Sequence, residues 1–292
     1  MERIGFIGIG IMGKPMAGHI MKAGYPLTVY TRSRSKAEEL VANGAVWASS
    51  PLEVAKNSDI IITMVSDTPD VEQVLFGENG LDGGLSAGKI IIDMSTISPA
   101  GTRDFAKRLA EKGVSLLDAP VSGGEVGAIN AKLTIMVGGD EATFNKCVPL
   151  FETMGTKVTY MGASGAGQAT KMVNQVMVAA CLIGVCEGLI LAGDEGLDLN
   201  KAIDVVSGGV GNSAQLTVHG TKIAAGDFNP GFMIDLFAKD LRIVNKAQKS
   251  HSSTNNITSL ALELSEAAQA EGNGREGVQG LYKILEKMEL NV

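Results

Sequence analysis

Histidine and cysteine are nearly missing from this chain of 292 residues, with three of each. Cys147, Cys181 and Cys186 show neither a CxxC pair nor metal-ligand spacing, and the last two fall in an apolar helical stretch as small core residues. His19, His219 and His251 are scattered along the chain. These absences argue against a disulfide framework and a metal cluster. A basic face is missing too. The formal net charge is -7, so nothing would gather a phosphate backbone and nucleic acid is not an expected partner. After Glu2 and Arg3 the chain enters a glycine-punctuated strand with no signal-peptide core, which makes a reducing cytoplasm the expected location. Repeats and low-complexity tracts are absent. One run, Met172 to Gly193, raises the question of a membrane, but Asn174, Gln175 and Glu187 interrupt it. Polar groups inside a bilayer are costly, so the expected reading is a buried helix between two domains, with no membrane partner.

What is present is globular: 45% hydrophobic and 20% charged residues, with 37 glycines that cluster rather than repeat. In the first half, Ile4–Ile9, Leu27–Tyr30, Asp59–Val65, Lys89–Met94, Ser115–Ala119, Leu133–Val137 and Lys157–Met161 read as strands. Their Ile, Val and Leu content suits strands buried on both faces of a mostly parallel sheet. Helical patterns such as Lys36–Asn43 and Ala100–Lys112 lie between them, and this alternation predicts a doubly wound α/β domain. From about Gly165 only helical periodicities remain, in Leu199–Val206, Asp235–Gln248, Thr258–Ala270 and Val278–Met288. The expected division is an N-terminal Rossmann domain over residues 1–163 and an all-helical domain over residues 164–292, opened by the long apolar helix.

The segment IGFIGIGIMGKPMA places Gly8-x-Gly10-x-x-Gly13 directly after an apolar strand and before a helical stretch. One glycine turns the chain, the second lets backbone approach a pyrophosphate, and the third packs helix on strand. The phosphates then meet the positive end of a helix, with Ile11 and Met12 in the same loop. This predicts a dinucleotide site. An NAD site usually has an acid at the end of the second strand; here the chain reads Val29-Tyr30-Thr31-Arg32-Ser33-Arg34. Arg32 suits a 2′-phosphate, with a hydroxyl from Thr31 or Ser33 beside it. NADP(H) is the preferred expectation and NAD(H) stays open.

Three further stretches follow in order: DMSTISP (Asp93–Pro99), DAPVSGG (Asp118–Gly124) and GASGAGQATKMVN (Gly162–Asn174), with FMIDLFAKDL (Phe232–Leu241) in the helical half. Together with the fingerprint they resemble the β-hydroxyacid dehydrogenase family, which includes 3-hydroxyisobutyrate dehydrogenases and tartronate semialdehyde reductases. The likeness spans essentially the whole chain, and the wording around Asp118 and Asn229 sits nearest the tartronate semialdehyde reductase branch.

The resemblance implies roles for particular residues. Lys171 matches the family's catalytic lysine. A charged ammonium would stabilise the oxygen of an aldehyde receiving hydride and give it a proton. Lysine in water titrates near about 10.4, so the acid form needed for reduction is at hand, and the oxidative rate is expected to rise with alkaline pH. Asn174, three residues on, shares a helix face with Lys171. Gln175 is a weaker candidate, turned from Asn174 by about 100°. Gly165 and Gly167 are expected to let backbone pass close to the nicotinamide end. Ser122, Gly123 and Gly124 match a substrate-carboxylate loop that works through a hydroxyl and successive amides. Thr96 matches a position near the nicotinamide, and Met64 and Val65 are expected on the adenosine-side loop. In the helical half, Lys239 matches a cofactor-contacting lysine, while Asp240 is expected on the substrate side, anchoring the helix or polarising Lys171, and Phe232 is expected to close the substrate pocket.

The implied function is NADP(H)-dependent interconversion of a short β-hydroxyacid and its semialdehyde, on a small carboxylate substrate. 3-Hydroxyisobutyrate, glyoxylate and succinic semialdehyde stand as alternatives. Substrate length would depend on how Asn212–Gln215 and Phe232–Met233 fold. Decarboxylation of the 6-phosphogluconate type is disfavoured, since Asn174-Gln175 stand where that family carries a His-Asn pair. Imine reduction is a lesser alternative, because enzymes of that group typically replace the lysine. A cofactor-binding scaffold without catalysis conflicts with the joint presence of Lys171, Ser122 and Asn174. The family is commonly dimeric or tetrameric, so a homo-oligomer is expected.

Overall fold

The computed structural model describes residues 1–289. The chain packs as two units, Met1–Lys171 and Met172–Val292. In the first, β1 (Ile4–Ile7), α1 (Gly13–Lys22), β2 (Leu27–Tyr30), α2 (Glu38–Ala42), β3 (Val46–Trp47), α3 (Pro51–Asn57), β4 (Ile60–Thr63) and α4 (Thr68–Phe76) follow one another. Then come β5 (Ile90–Asp93), α5 (Pro99–Ala110), β6 (Ser115–Asp118), β7 (Val121–Ser122), α6 (Gly124–Ile129), β8 (Leu133–Gly138), α7 (Glu141–Phe151) and β9 (Gly155–Gly162). The strands form one sheet in the order β3-β2-β1-β4-β5-β6-β8-β7, with β9 added to β8. It is parallel from β3 to β6, while β8 runs antiparallel to β6 and β7. The mostly parallel, doubly wound sheet is therefore present.

Both faces of this sheet are covered. Ile4, Phe6, Ile60, Ile62, Ile90 and Ile92 lie in one apolar cluster, and Ile7, Ile61 and Ile91 lie in another. That alternation is the period-2 geometry of a strand read on both sides. Several helices begin at an encoded signal. Ser50 and Ser98 accept from the amides of Glu53 and Gly101, with Pro51 and Pro99 opening the helix behind them. Asp140 and Asp198 cap the helices that follow them in the same way. The chain turns from β3 back past β1 to β4, so the ends of β1 and β4 form the switch point where open α/β sheets gather ligands.

The helix α8 (Ala166–Asp194) starts in the first unit and runs into the second. The second unit continues with α9 (Leu199–Ser207), a π-helical turn over Leu216–Gly220, α10 (Thr221–Ala224), α11 (Ile234–Ser250), α12 (Asn256–Ala270) and α13 (Leu281–Glu289). Its core gathers Leu182, Cys186 and Leu189 of α8 with Phe237, Leu241, Leu264 and Leu281. By length and composition α8 could cross a membrane. It is not buried all round, as the sequence suggested: Val173, Met177 and Leu191 are exposed. Burial pushes the Cys147 thiol up to about 11 and the Cys186 thiol up to about 12, which leaves both unreactive at neutral pH.

Candidate active site

The fingerprint loop fills the turn between β1 and α1. Gly8 has φ +102°, and a side chain there would collide with the Met64 carbonyl at the end of β4. A Cβ on Gly13 would strike the Gly8 carbonyl. These two glycines serve the protein's own packing. Gly10 differs, because a Cβ built there meets nothing within 4 Å. Its bareness answers no contact among the described residues, which fits a loop that must admit a pyrophosphate. The first turn of α1 carries no acidic side chain, so its amides keep their attraction for anions. Ile11 is exposed and Met12 is half-buried against the core. Thr31 and Arg32 follow β2. The Arg32 side chain is 85% exposed, with its guanidinium 4.0 Å from Asp70 of α4. Met64 and Val65 follow β4, and the Val65 amide donates to Ser95 Oγ at 3.0 Å.

The second group of residues sits at the ends of β5 and β6 and in the first turns of α8. Lys171 is only 8% exposed, and its Nζ donates to the Val121 carbonyl at 2.9 Å. That carbonyl directly precedes Ser122, so the amine and the expected carboxylate loop are brought together. Gly123 and Gly124 lie at φ +133° and +60°, where side chains strain the backbone, and both are exposed. Two successive amides in such a turn are the ingredients of an anion nest. Thr96 stands half-buried between Ser95 and Ile97, beyond the end of β5.

Asp118, fully buried at the end of β6, grips the start of α8. Its Oδ1 accepts from the Gly165 amide at 2.8 Å and its Oδ2 from the Gln168 amide at 2.9 Å. Burial pushes this carboxyl up, and the amides at Gly165 and Gln168 pull it partly back. Asp93, fully buried on the neighbouring strand, accepts from Thr63 Oγ1 at 2.8 Å, and burial pushes it up to about 6. The glycines before Lys171 follow from this packing. A Cβ on Gly167 would hit the Met136 and Asp118 carbonyls, and one on Gly165 would reach Arg103 and the Pro99 carbonyl. Their small size is needed for contacts within the first unit, whereas the sequence suggested an approach to the nicotinamide.

In the second unit, Asn174 Nδ2 donates to Gln175 Oε1 at 2.8 Å, and Gln175 Nε2 donates to Asp240 Oδ2 at 2.6 Å. Lys239 Nζ lies 2.6 Å from Asp240 Oδ1. Asp240, 4% exposed, thus joins Lys239 of its own helix to α8 through Gln175. Phe232 is half-buried, its ring 6.0 Å from that of Phe237 in an edge-to-face pair. Ser213, in the Asn212–Gln215 segment, caps the π-helical turn by accepting from the Leu216 amide.

Comparison with known proteins decides the family. Residues 3–162 match the NAD binding domain of 6-phosphogluconate dehydrogenase, and residues 165–285 match the NAD-binding domain of NADP-dependent 3-hydroxyisobutyrate dehydrogenase. The chain is 43% identical to 2-hydroxy-3-oxopropionate reductase of Escherichia coli, over 98% of each chain. It is 42% identical to a probable mitochondrial 3-hydroxyisobutyrate dehydrogenase-like protein of Arabidopsis thaliana, over 98% of this chain and 86% of the relative. A crystal structure of 3-hydroxyisobutyrate dehydrogenase from Salmonella typhimurium superposes with a TM-score of 0.89 at 30% identity, covering 97% of this chain and 99% of the other. The chain belongs to the β-hydroxyacid dehydrogenase family. It is an NAD(P)-dependent enzyme of that family, including its tartronate semialdehyde reductase branch.

One residue of this dehydrogenase was ranked too low from the sequence and another escaped it. Gln175 looked peripheral when measured from Asn174. Measured from Lys171 it is four residues on, which on an α-helix is about 40° away and nearer than Asn174. Its 2% exposure and its bond to Asp240 agree with that geometry. Gln168 is the other, fully buried one turn before Lys171, and nothing in its local sequence marks it. The nicotinamide cofactor supplies and accepts hydride when bound. The open side of Gly10, the uncovered amides of α1 and the loops after β4 and β5 are the parts of the dehydrogenase that fit it.

Proposed function

We propose that this dehydrogenase reduces a short semialdehyde carboxylate, of the 2-hydroxy-3-oxopropionate kind, to its β-hydroxyacid, with NADP(H) as the preferred cofactor. The carrying observation is the buried Lys171 amine on the carbonyl that precedes Ser122. In this reading the Ser122 hydroxyl and the Gly123 and Gly124 amides hold the substrate carboxylate. The aldehyde oxygen then lies within reach of Lys171. As hydride arrives at the carbon, the C=O bond becomes C–O, and the Lys171 ammonium transfers a proton to the oxygen. The amine left neutral regains its proton from water. Asn174, oriented by Gln175 and Asp240, orders the polar face of α8. Thr96, Met64 and Val65 border the cofactor.

Arg32 supports the NADP(H) preference. It is highly exposed at the end of β2, where a 2′-phosphate would pair with its fork, and the segment Thr31–Lys36 carries no acid of its own to accept from ribose hydroxyls. Identity to the Escherichia coli reductase supports the substrate class, and 3-hydroxyisobutyrate, glyoxylate and succinic semialdehyde are the competing members.

A panel of semialdehydes with both reduced cofactors tests all three parts. The 2-hydroxy-3-oxopropionate substrate with NADPH should give the highest kcat/KM. Lys171→Ala should bind cofactor normally and lose on the order of 10²- to 10⁴-fold in kcat, the usual scale for a general acid. A Lys171→Ala variant that still reduces at the wild-type rate removes the mechanism. Equal efficiency with NADH and NADPH removes Arg32 from its role, and a different best substrate replaces the assignment.

A further inference from the structure

Gln168 makes an unusual pair of side-chain bonds. Its Nε2 donates to the Ser95 carbonyl at 2.7 Å, and its Oε1 accepts from the Ile97 amide at 3.1 Å. Those two backbone groups flank Thr96. One side-chain amide thus pairs with the backbone on both sides of Thr96, much as a neighbouring strand would. The residue is 0% exposed, so no water competes for either bond. Its own backbone amide is held by Asp118, and Lys171 stands one helical turn further on. The Ser95–Ile97 loop lies beyond the end of β5, where open α/β sheets hold their ligands. Ser95 Oγ in turn holds the Val65 amide, at the end of the neighbouring β4.

We propose that Gln168 is a positioning residue: by gripping the backbone on both sides of Thr96, it fixes the cofactor-side loop at a set distance from the Lys171 amine. The proposal rests on the reading of Lys171 given above. Gln168 touches neither substrate nor cofactor. It acts through the loop on one side and the helix on the other, so that the hydride donor and the proton donor keep a common frame. Asp118 secures α8 to β6, and Gln168 secures the same turn to the loop after β5.

Gln168→Met keeps the length and apolar bulk of the side chain and removes both bonds. Hydrogen exchange at the Ile97 amide should accelerate at least about tenfold, with the cofactor Kd within about threefold of wild type. Misplacing reacting groups by about 1 Å costs on the order of 10²-fold, so kcat should fall about 10- to 100-fold. KM for the semialdehyde should stay within about threefold, and the primary isotope effect with 4-deuterated NADPH should grow. Unchanged Ile97 exchange, or an unchanged kcat and isotope effect in the folded variant, overturns the proposal.

Gln168→Glu gives the second arm, which also serves if the Met variant does not fold. Its carboxylate accepts from Ile97 but offers no hydrogen to Ser95 when ionised. The protonated acid offers both, so its kcat relative to wild type should recover as pH falls. Asp118 and Asp93, which hold the Gln168 backbone and the Ser95 amide, titrate in every variant, so the pH profile of Asp118→Asn with and without Gln168→Glu separates their share from that of the new carboxyl. A ratio independent of pH counts against the proposal. Retained reduction by Lys171→Ala removes the parent reading instead, and the Ile97 exchange result still decides whether Gln168 grips the loop.

Discussion

Gly8 and Gly10 belong to one motif and answer to different demands. Alanine at Gly8 would place a methyl group on the Met64 carbonyl with the backbone at φ +102°, a conformation that costs a non-glycine residue about 1–3 kcal/mol before any clash. Alanine at Gly10 meets no atom of the described residues within 4 Å. Gly8→Ala should therefore lower the Tm of the cofactor-free enzyme. Gly10→Ala should leave the Tm unchanged and weaken cofactor binding about tenfold or more, a loss of about 1.4 kcal/mol. Thermal melts beside a fluorescence titration with NADPH separate the two, and an unaffected Kd in Gly10→Ala would remove Gly10 from the pyrophosphate site. The motif was legible because its chemistry is local: three glycines at fixed spacing after a strand. Gln168 was not, because the groups it binds lie 71 and 73 residues away, and only the fold brings them opposite. Gln175 was within reach of helix arithmetic, had it been counted from Lys171.

At the level of elements, the strands most visible in the sequence are those buried on both faces, such as Ile60–Thr63 and Ile90–Asp93, where an isoleucine run dominates. β3 and β7 hold two residues each, too few for any periodicity to show. The sequence-drawn ends of β1, β4 and β5 ran past the paired residues, because apolar side chains continue into the loops after hydrogen bonding stops. Thr63, Asp93 and Asp118 stand in register at the ends of β4, β5 and β6. Burial drives the Asp93 carboxyl from 3.8 up to about 6. Between those values the unfolded chain has released a proton that the folded protein retains, so stability falls as pH rises through the window. The penalty is absent below the unfolded value and complete above the folded one. That difference corresponds to about 3 kcal/mol. Asp93→Asn keeps an acceptor for Thr63 and for the Ser95 amide. The Tm difference between variant and wild type should accordingly move in favour of the variant from pH 4 to pH 7. A constant difference would show that Asp93 titrates normally. Asp118, pushed in the same direction by burial, leaves a residual slope in both proteins.

On the scale of the whole molecule, the change from alternating to purely helical sequence near Gly165 was readable, because strand and helix periods differ. The face that α8 turns outward was not. Its apolar composition is nearly uniform, and only the fold separates Leu182, Cys186 and Leu189 in the core from Val173, Met177 and Leu191 outside it. Exposed apolar side chains on a long helix support the expectation of a homo-oligomer. Light scattering should return a dimer or tetramer of the 30.4 kDa chain, and a monomer's mass at micromolar concentration would overturn that expectation.

The carboxylate of Asp118 has one more effect. The leading amides of a 29-residue helix would ordinarily attract any nearby anion, but here an internal carboxylate already takes the Gln168 amide of its first turn and the Gly165 amide just before it. In the proposed reading, negative guests go elsewhere: the dinucleotide's phosphates to the start of α1, a small acid to the bend at Gly123 and Gly124. Each charged moiety thereby has its own berth, and neither competes for the pole of the helix that bears the amine.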